Sequence, residues 1–102
     1  MIKHIVMWKL KDSAEGNTKW VNAQLIKEKL EGLKGKVPQI QDIQVGIAYR
    51  HESEDLDVVL ISEFESKEDL ATYQKHPEHN IANEFIKKVK AERYCVDYEK
   101  NE

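Results

Sequence analysis

The segment Tyr73–His79 concentrates side chains that exchange protons, with a tyrosine, two histidines and a glutamate in the run Tyr-Gln-Lys-His-Pro-Glu-His. Histidine titrates near neutral pH, and a tyrosine hydroxyl can donate a hydrogen bond to a developing enolate or carbonyl oxygen. Pro77 disfavours helical angles at the residue before it, so one helix should end there and another begin. The segment therefore predicts an acid–base site at a helix break, pairing Tyr73 with His76 or His79. Of the two histidines, His79 is the stronger candidate.

A histidine near the N-terminus extends this candidate site. His4 breaks the otherwise apolar face of the first predicted strand, which also carries Trp8, and it could face the same cavity. His4, Trp8 and His76 are the predicted ligand contacts, and His79 and Tyr73 are the predicted catalytic pair. Each histidine and the tyrosine also has a structural interpretation. His4 could be a hydrogen-bonded packing residue, Tyr73 a core residue whose hydroxyl reaches water, and His76 a cap on free helix carbonyls.

Metal and nucleophile chemistry have weaker sequence support. His76, Glu78 and His79 offer nitrogen and oxygen ligands, but their spacing is not that of the His-Glu-x-x-His helix motif, and Pro77 keeps the histidines off one regular helical face. Cys95 is the single cysteine, which excludes an intramolecular disulfide and a thiolate cluster, and it is predicted to be buried in a strand. No glycine-rich phosphate loop is present, so no metal and no cofactor are expected.

Length and composition bound the remaining possibilities. The chain has 102 residues, of which 40% are hydrophobic and 34% charged, which predicts one globular domain over 1–102 with a polar tail from about residue 99. The net charge of −3 is spread along the chain, so neither nucleic acid nor a membrane surface is an expected partner. No secretory leader or apolar run of about 20 residues is seen, and the cytoplasm is the expected compartment.

Hydrophobic periodicity gives the order of the elements. Alternating apolar residues predict strands, and apolar residues at three- and four-residue steps predict helices. The predicted elements are a strand at Ile2–Leu10, a helix carrying Trp20, Ala23, Ile26, Leu30 and Leu33, a strand at Ile43–Tyr49, a loop at Arg50–Asp55, a strand at Leu56–Phe64, a short helix capped by Ser66, a helix carrying Ile81, Ala82, Phe85, Ile86 and Val89, and a strand at Tyr94–Glu99.

This order predicts an α+β fold of the ferredoxin-like βαββαβ type, a four-stranded antiparallel sheet with its helices on one face. Apolar residues also occupy the other face, namely Ile5, Met7 and either Leu60 or Ile61, depending on the register. An exposed apolar sheet face needs a cover. A second copy of the same sheet is the simplest one, so the sequence predicts a homodimer with a barrel-like interface through the sheet faces.

Four segments together resemble the stress-responsive A/B barrel family. They are Lys3–Lys11, Leu33–Pro38, Ser62–Ser66 and Tyr73–His79, the last with the motif His-Pro-x-His. The resemblance spans nearly the whole chain. It implies a dimeric α+β barrel built from ferredoxin-like protomers, in agreement with the order of elements.

The resemblance also implies roles for individual residues. The family includes a plant polyketide cyclase that closes a linear polyketide by aldol condensation without a cofactor, using a histidine base and a tyrosine. By resemblance, His79 takes the place of that histidine and Tyr73 that of the tyrosine, while His4 and His76 match its other two histidines. The segment Asn80–Asn83 departs from the cyclase, which has a glycine-containing apolar segment there.

The sequence thus leaves three functions open. The first is a homodimer that binds a small apolar or aromatic organic molecule, with cofactor-independent cyclase or isomerase chemistry by His79 and Tyr73. The second is a stress-related structural or binding protein without turnover, since other family members are associated with stress tolerance as robust dimers or larger assemblies. The third is divalent metal binding at His76 and His79, because some members bind a divalent cation.

Overall fold

Four antiparallel strands form a sheet in the order β4-β5-β1-β6, with α-helices packed on one face. The computed structural model describes residues 1–50 and 55–101. The elements are β1 (Ile2–Leu10), β2 (Ser13–Ala14), β3 (Asn17–Thr18), α1 (Lys19–Glu31), a 3-10 helix (Gly32–Gly35), β4 (Asp42–Ile47), β5 (Val58–Phe64), α2 (Lys67–Lys75), α3 (Pro77–Val89) and β6 (Lys90–Glu99). The predicted ferredoxin-like α+β fold is confirmed. The loop predicted at Arg50–Asp55 falls mostly outside the described residues.

The central strand β1 follows the predicted pattern from end to end. Its residues alternate between buried and half-buried, so Val6, Trp8 and Leu10 pack under the helices while Ile5 and Met7 face the opposite side. In the ladder Val6 lies opposite Leu60 of β5 and Cys95 of β6. Strand alternation places directly opposed residues on the same face. The histidine and tryptophan of β1 are therefore held rigidly beneath the helices.

Helix α1 differs from the prediction in which residue of its first turn is buried. Trp20, predicted to be buried, is 37% exposed, and Asn22 is fully buried in its place. The Asn22 side chain donates to the Ala14 carbonyl at 3.0 Å and accepts from Asn17 at 3.1 Å. These partners lie on strands β2 and β3, which were not predicted. Their hydrogen bonds allow Asn22 to be buried, whereas hydrophobic periodicity predicted burial of Trp20.

The helix-free side of the sheet is apolar and open. Ile5 lies opposite Ile61 on one side and Val96 on the other, so Ile61 rather than Leu60 belongs to this face. The apolar part of the helix-free face comprises the half-buried Ile5, Met7, Val59 and Ile61 and the more exposed Tyr94, Val96 and Tyr98, and the charged Lys3, Lys9 and Glu63 lie on the same face. Its aromatic and branched side chains form a contiguous apolar surface.

The burial predicted for Cys95 is wrong. Cys95 is exposed because β6 is an edge strand and its residues on the helical side lie beyond the area that the helices cover. Ile81, predicted for the buried face of α3, is also 63% exposed, whereas Ala82, Ile86 and Val89 are buried as predicted. Within the described residues, no helix has the length and hydropathy needed to cross a bilayer.

Candidate active site

A helix break brings the two predicted catalytic residues together. Ser66 caps the start of α2, where its hydroxyl accepts from the Asp69 N–H, and His76 follows the last helical residue with an extended backbone at ψ 137°. Pro77 then opens α3. In one continuous helix, residues six positions apart would lie about 120° apart around the axis and about 9 Å apart along it. With the break, the rings of Tyr73 and His79 have centroids 4.6 Å apart.

His76 has a capping position at this break. Its Nδ1 accepts a hydrogen bond from the Glu78 N–H at 3.1 Å, which satisfies one of the free donors at the start of α3. The sequence predicted that His76 could cap free carbonyls at the end of α2. In the structure its side chain instead caps a free N–H at the start of α3. His76 does not line the cavity described next.

A cavity of about 210 Å³ lies between the sheet and helices α2 and α3. It is lined by His4, Val6, Trp8, Leu30, Leu60, Tyr73, Gln74, His79, Asn83, Ile86, Lys87, Lys90 and Arg93. Four of the five predicted site residues therefore surround one space. Its wall combines the apolar Val6, Leu30, Leu60 and Ile86 with polar and charged side chains.

Three buried polar atoms at this cavity have no hydrogen-bond partner among the described residues. They are Trp8 Nε1, the Tyr73 hydroxyl and His79 Nδ1. Trp8 is 4% exposed and Tyr73 is completely buried. A buried polar group without a partner costs about 1–3 kcal/mol. Because native proteins seldom leave such groups unsatisfied, three of them on residues that line one cavity favour a bound water or ligand that accepts from the indole and the phenol and donates to the imidazole.

Burial sets complementary protonation states for the pair. Burial is the main cause that lowers the pKa of His79, and the positive charges of His4 and Arg93 lower it further. Hydrogen bonds with the Gln74 backbone and the Asn80 side chain raise it in part. Burial also raises the pKa of the Tyr73 hydroxyl above its ordinary value. At neutral pH the imidazole is therefore an unprotonated base and the phenol a proton donor.

His4 has a partner that the sequence did not suggest. Its Nδ1 is hydrogen-bonded to the Asp97 carboxylate, and the Ser62 hydroxyl donates to its backbone carbonyl at 3.2 Å. His4 and Asp97 lie directly opposite each other in the β1–β6 ladder, so the pairing depends on a register that alternation within one strand does not give. Lys90 and Arg93 at the cavity were missed for the same reason.

One group of residues has the composition of a metal site. His4 Nδ1, Cys95 Sγ and an Asp97 oxygen lie within 4.8 Å of one another, and in the described part of the chain this is the one such group of three. His76, Glu78 and His79 do not form one. However, His4 and Asp97 are already bonded to each other, and burial, followed by the Asp97 charge, raises the pKa of the Cys95 thiol. These features favour hydrogen bonding over a metal thiolate.

Solved structures with this fold come from bacteria and plants. A dimeric protein of unknown function and ferredoxin-like fold from Bacteroides fragilis is 38% identical, with a TM-score of 0.85, over 96% of this chain and 94% of that one. A dimeric ferredoxin-like protein of unknown function from Thermobifida fusca is 21% identical, with a TM-score of 0.81, over 95% and 88%. A hydroxynitrile lyase from Passiflora edulis is 18% identical, with a TM-score of 0.77, over 99% and 94%.

The sequence match agrees with the fold. The model of the stress responsive A/B barrel domain matches residues 2–100. No curated protein matches the chain. The likeness therefore covers all the helices and strands described above and all the residues at the cavity.

Proposed function

The chain belongs to the stress responsive A/B barrel domain family, and we propose that its cavity binds a small apolar or aromatic carbonyl compound and moves a proton on it without a cofactor. His79 is the base and Tyr73 the donor to the substrate oxygen. His4 and Trp8 are further polar contacts. The observation that carries the proposal is that three residues lining one cavity, Trp8, Tyr73 and His79, each have a buried polar side-chain atom without a hydrogen-bond partner among the described residues.

The two protonation states suit carbon acid chemistry. The neutral His79 imidazole takes a proton from a carbon next to a carbonyl, and the electron pair of the broken C–H bond moves onto the carbonyl oxygen to give an enolate. The protonated Tyr73 hydroxyl donates a hydrogen bond to that oxygen. Return of the proton from His79 to a different atom completes an isomerisation. In a cyclisation the enolate carbon attacks a second carbonyl, and the alkoxide that forms takes the proton back from His79. The Passiflora lyase supports the view that this fold can house an enzyme.

We also propose that the working form is a homodimer joined through the helix-free face of the sheet. The exposed fractions of Tyr94, Val96 and Tyr98 lie between 46% and 49%, which is high for aromatic and branched side chains on a shared surface. Contiguous apolar patches of this kind usually mark an interface. The relatives from Bacteroides and Thermobifida are described as dimeric, which supports self-association.

A binding or structural role without turnover is the second candidate. Tyr73 is fully buried, and its ring packs against Phe64 with centroids 5.0 Å apart, so the tyrosine contributes to the core whatever its hydroxyl does. Under this alternative, His79→Gln and Tyr73→Phe would change stability without changing any reaction.

The test uses a neutral probe and an acidic one. Benzoylacetone and benzoylpyruvate both have an acidic carbon between two carbonyls, and their keto–enol interconversion is followed by ultraviolet absorbance. We expect the purified protein to bind at least one of them and to accelerate its interconversion, and His79→Gln and Tyr73→Phe to reduce that rate at least tenfold. Binding without acceleration would favour the second candidate. If neither probe binds, the proposal is wrong.

A further inference from the structure

The mouth of the cavity is positively charged. Lys87, Lys90 and Arg93 line it, and none of the described residues that line it is acidic. Resting on the proposed function, we propose that the ligand is a carbonyl compound that also carries a carboxylate, and that Arg93 and Lys90 bind this carboxylate. This assigns the chemical class of the ligand and names two specificity-determining residues.

The position of Arg93 follows from the sheet register. Arg93 lies directly opposite Trp8 in the β1–β6 ladder, so both side chains project from the helical face of the sheet. Trp8 lines the cavity, and its buried indole N–H has no hydrogen-bond partner among the described residues. A ligand that meets this donor is therefore within reach of the guanidinium at the edge. The Arg93 charge also contributes to lowering the pKa of His79, which agrees with their proximity.

Of the three basic residues at the mouth, Lys87, Lys90 and Arg93, one has an ion pair with a carboxylate of the described residues. Lys87 has an ion pair with Glu84 at 3.8 Å on the surface of α3. Over residues 1–50 and 55–101, neither Lys90 nor Arg93 has an ion pair with a carboxylate. Asp97, which shares the helical side of β6 with Arg93, is bonded to His4 instead. Two positive charges thus remain available at the mouth for an anion.

The donors and apolar residues of the interior and the basic residues of the mouth together indicate the chemical class of the ligand. The indole N–H can only donate, and the Tyr73 phenol is kept protonated by burial, so the interior favours oxygen acceptors such as carbonyls. Val6, Leu60 and Ile86 offer an apolar wall between interior and mouth. Arginine recognises a carboxylate with two parallel hydrogen bonds. A volume of about 210 Å³ suits a molecule of about one ring rather than an extended chain.

The experiment compares an acid with its ester. Benzoylpyruvate and methyl benzoylpyruvate differ in the charge of one end, and their dissociation constants are measured by isothermal titration calorimetry at low and at physiological salt. We expect the acid to bind about tenfold more tightly than the ester. The preference should shrink as salt rises, because Arg93 is exposed and its charge is screened.

Arg93→Gln identifies the residue responsible. We expect it to weaken binding of the acid about tenfold and to leave binding of the ester unchanged, with Arg93→Lys intermediate. Arg50→Gln is the matched control, because Arg50 is exposed, does not line the cavity and pairs with Asp55. It makes the same change in charge and should alter neither constant.

The outcomes separate the two proposals. Equal binding of acid and ester by the wild type, or equal weakening of both by Arg93→Gln, overturns the carboxylate inference and leaves the proposed carbonyl site standing. Absence of binding by acid, ester and benzoylacetone overturns both. Tight binding of the acid that is lost in Arg93→Gln alone supports the inference.

Discussion

Tyr73 and His79 contact each other ring to ring, with centroids 4.6 Å apart and planes inclined at 59°, across a break between two helices. His76 and Pro77 create the break, since the proline ends α2 and the histidine caps α3. Both rings are buried at this break, and burial raises the pKa of the Tyr73 hydroxyl and lowers the pKa of the His79 imidazole. Pairs of groups whose environments push their pKa values apart are typical of acid–base sites.

The Tyr73 hydroxyl should contribute to ligand binding and not to stability. In Tyr73→Phe the ring keeps its contact with Phe64 while an unpartnered buried hydroxyl is removed. We expect the free energy of unfolding to stay the same or to rise by up to about 1 kcal/mol, and probe binding to weaken. Urea unfolding and calorimetry measure the two effects. Tyr49→Phe is the control, because Tyr49 is 95% exposed. A loss of stability in Tyr73→Phe would contradict the assignment.

His79 should make stability depend on pH. Its pKa is lower in the folded protein than its ordinary value near 6.5, so the unfolded chain takes up a proton first as the pH falls. The stability contribution is therefore complete above that ordinary value and is lost as the pH decreases through the folded pKa. His79→Gln should remove this part of the dependence. Thermal unfolding of both proteins from about pH 7 to pH 5 tests it, and parallel curves would count against a buried neutral imidazole.

A charge on the helix-free face should separate the proposed dimer. Ile61→Glu places a carboxylate opposite Ile5 in the middle of the proposed interface. A buried unpaired charge costs about 3 kcal/mol or more, which weakens association at least 100-fold. Sedimentation velocity should show monomers at low micromolar concentration. Ile81→Glu makes the same change on α3, where Ile81 is 63% exposed, and should remain dimeric. An unchanged dimer in Ile61→Glu would place the interface elsewhere.

Asp57 should be important for folding although it lies outside the cavity. Its carboxylate accepts from the Leu10 N–H at 2.8 Å, its own N–H donates to the Trp8 carbonyl at 2.9 Å, and it is 5% exposed. Asp57→Ala leaves the Leu10 N–H without an acceptor, so we expect a loss of about 1–3 kcal/mol in urea unfolding. Asp57 also has an ion pair with Lys19 at 3.5 Å. Asp12→Ala is the control, because Asp12 pairs with the same lysine at 3.5 Å but is fully exposed, and its loss should cost under about 1 kcal/mol.

The sequence predicted those parts of the fold that depend on local pattern. Alternation along β1 assigned that strand, and Pro77 separated α2 from α3, so His4 and Trp8 were expected on one strand face and Tyr73 and His79 at one helix break, where they line one cavity. Contacts that depend on strand register were not predictable from a single strand. Asp97 beside His4 and Arg93 beside Trp8 are the two consequential examples.

The remaining differences have a common cause. The burial of a residue is decided by the other elements that pack against it, which the periodicity of its own element does not describe. Asn22 is buried because a two-stranded hairpin supplies its hydrogen bonds, and Cys95 is exposed on an edge strand that the helices cover only in part. Trp20 and Ile81, which were also predicted to be buried, are exposed in the structure.

Strand β6 presents different residues to its two sides at alternate positions. Arg93, Cys95 and Asp97 face the helical side, while Tyr94, Val96 and Tyr98 face the open side of the sheet. In the proposed ligand site and homodimer, mutations at the first set would alter which molecule is recognised while the second set keeps self-association unchanged. New ligand preferences can therefore evolve in small steps on a constant assembly, and a protein engineer can vary the two properties separately within one ten-residue segment.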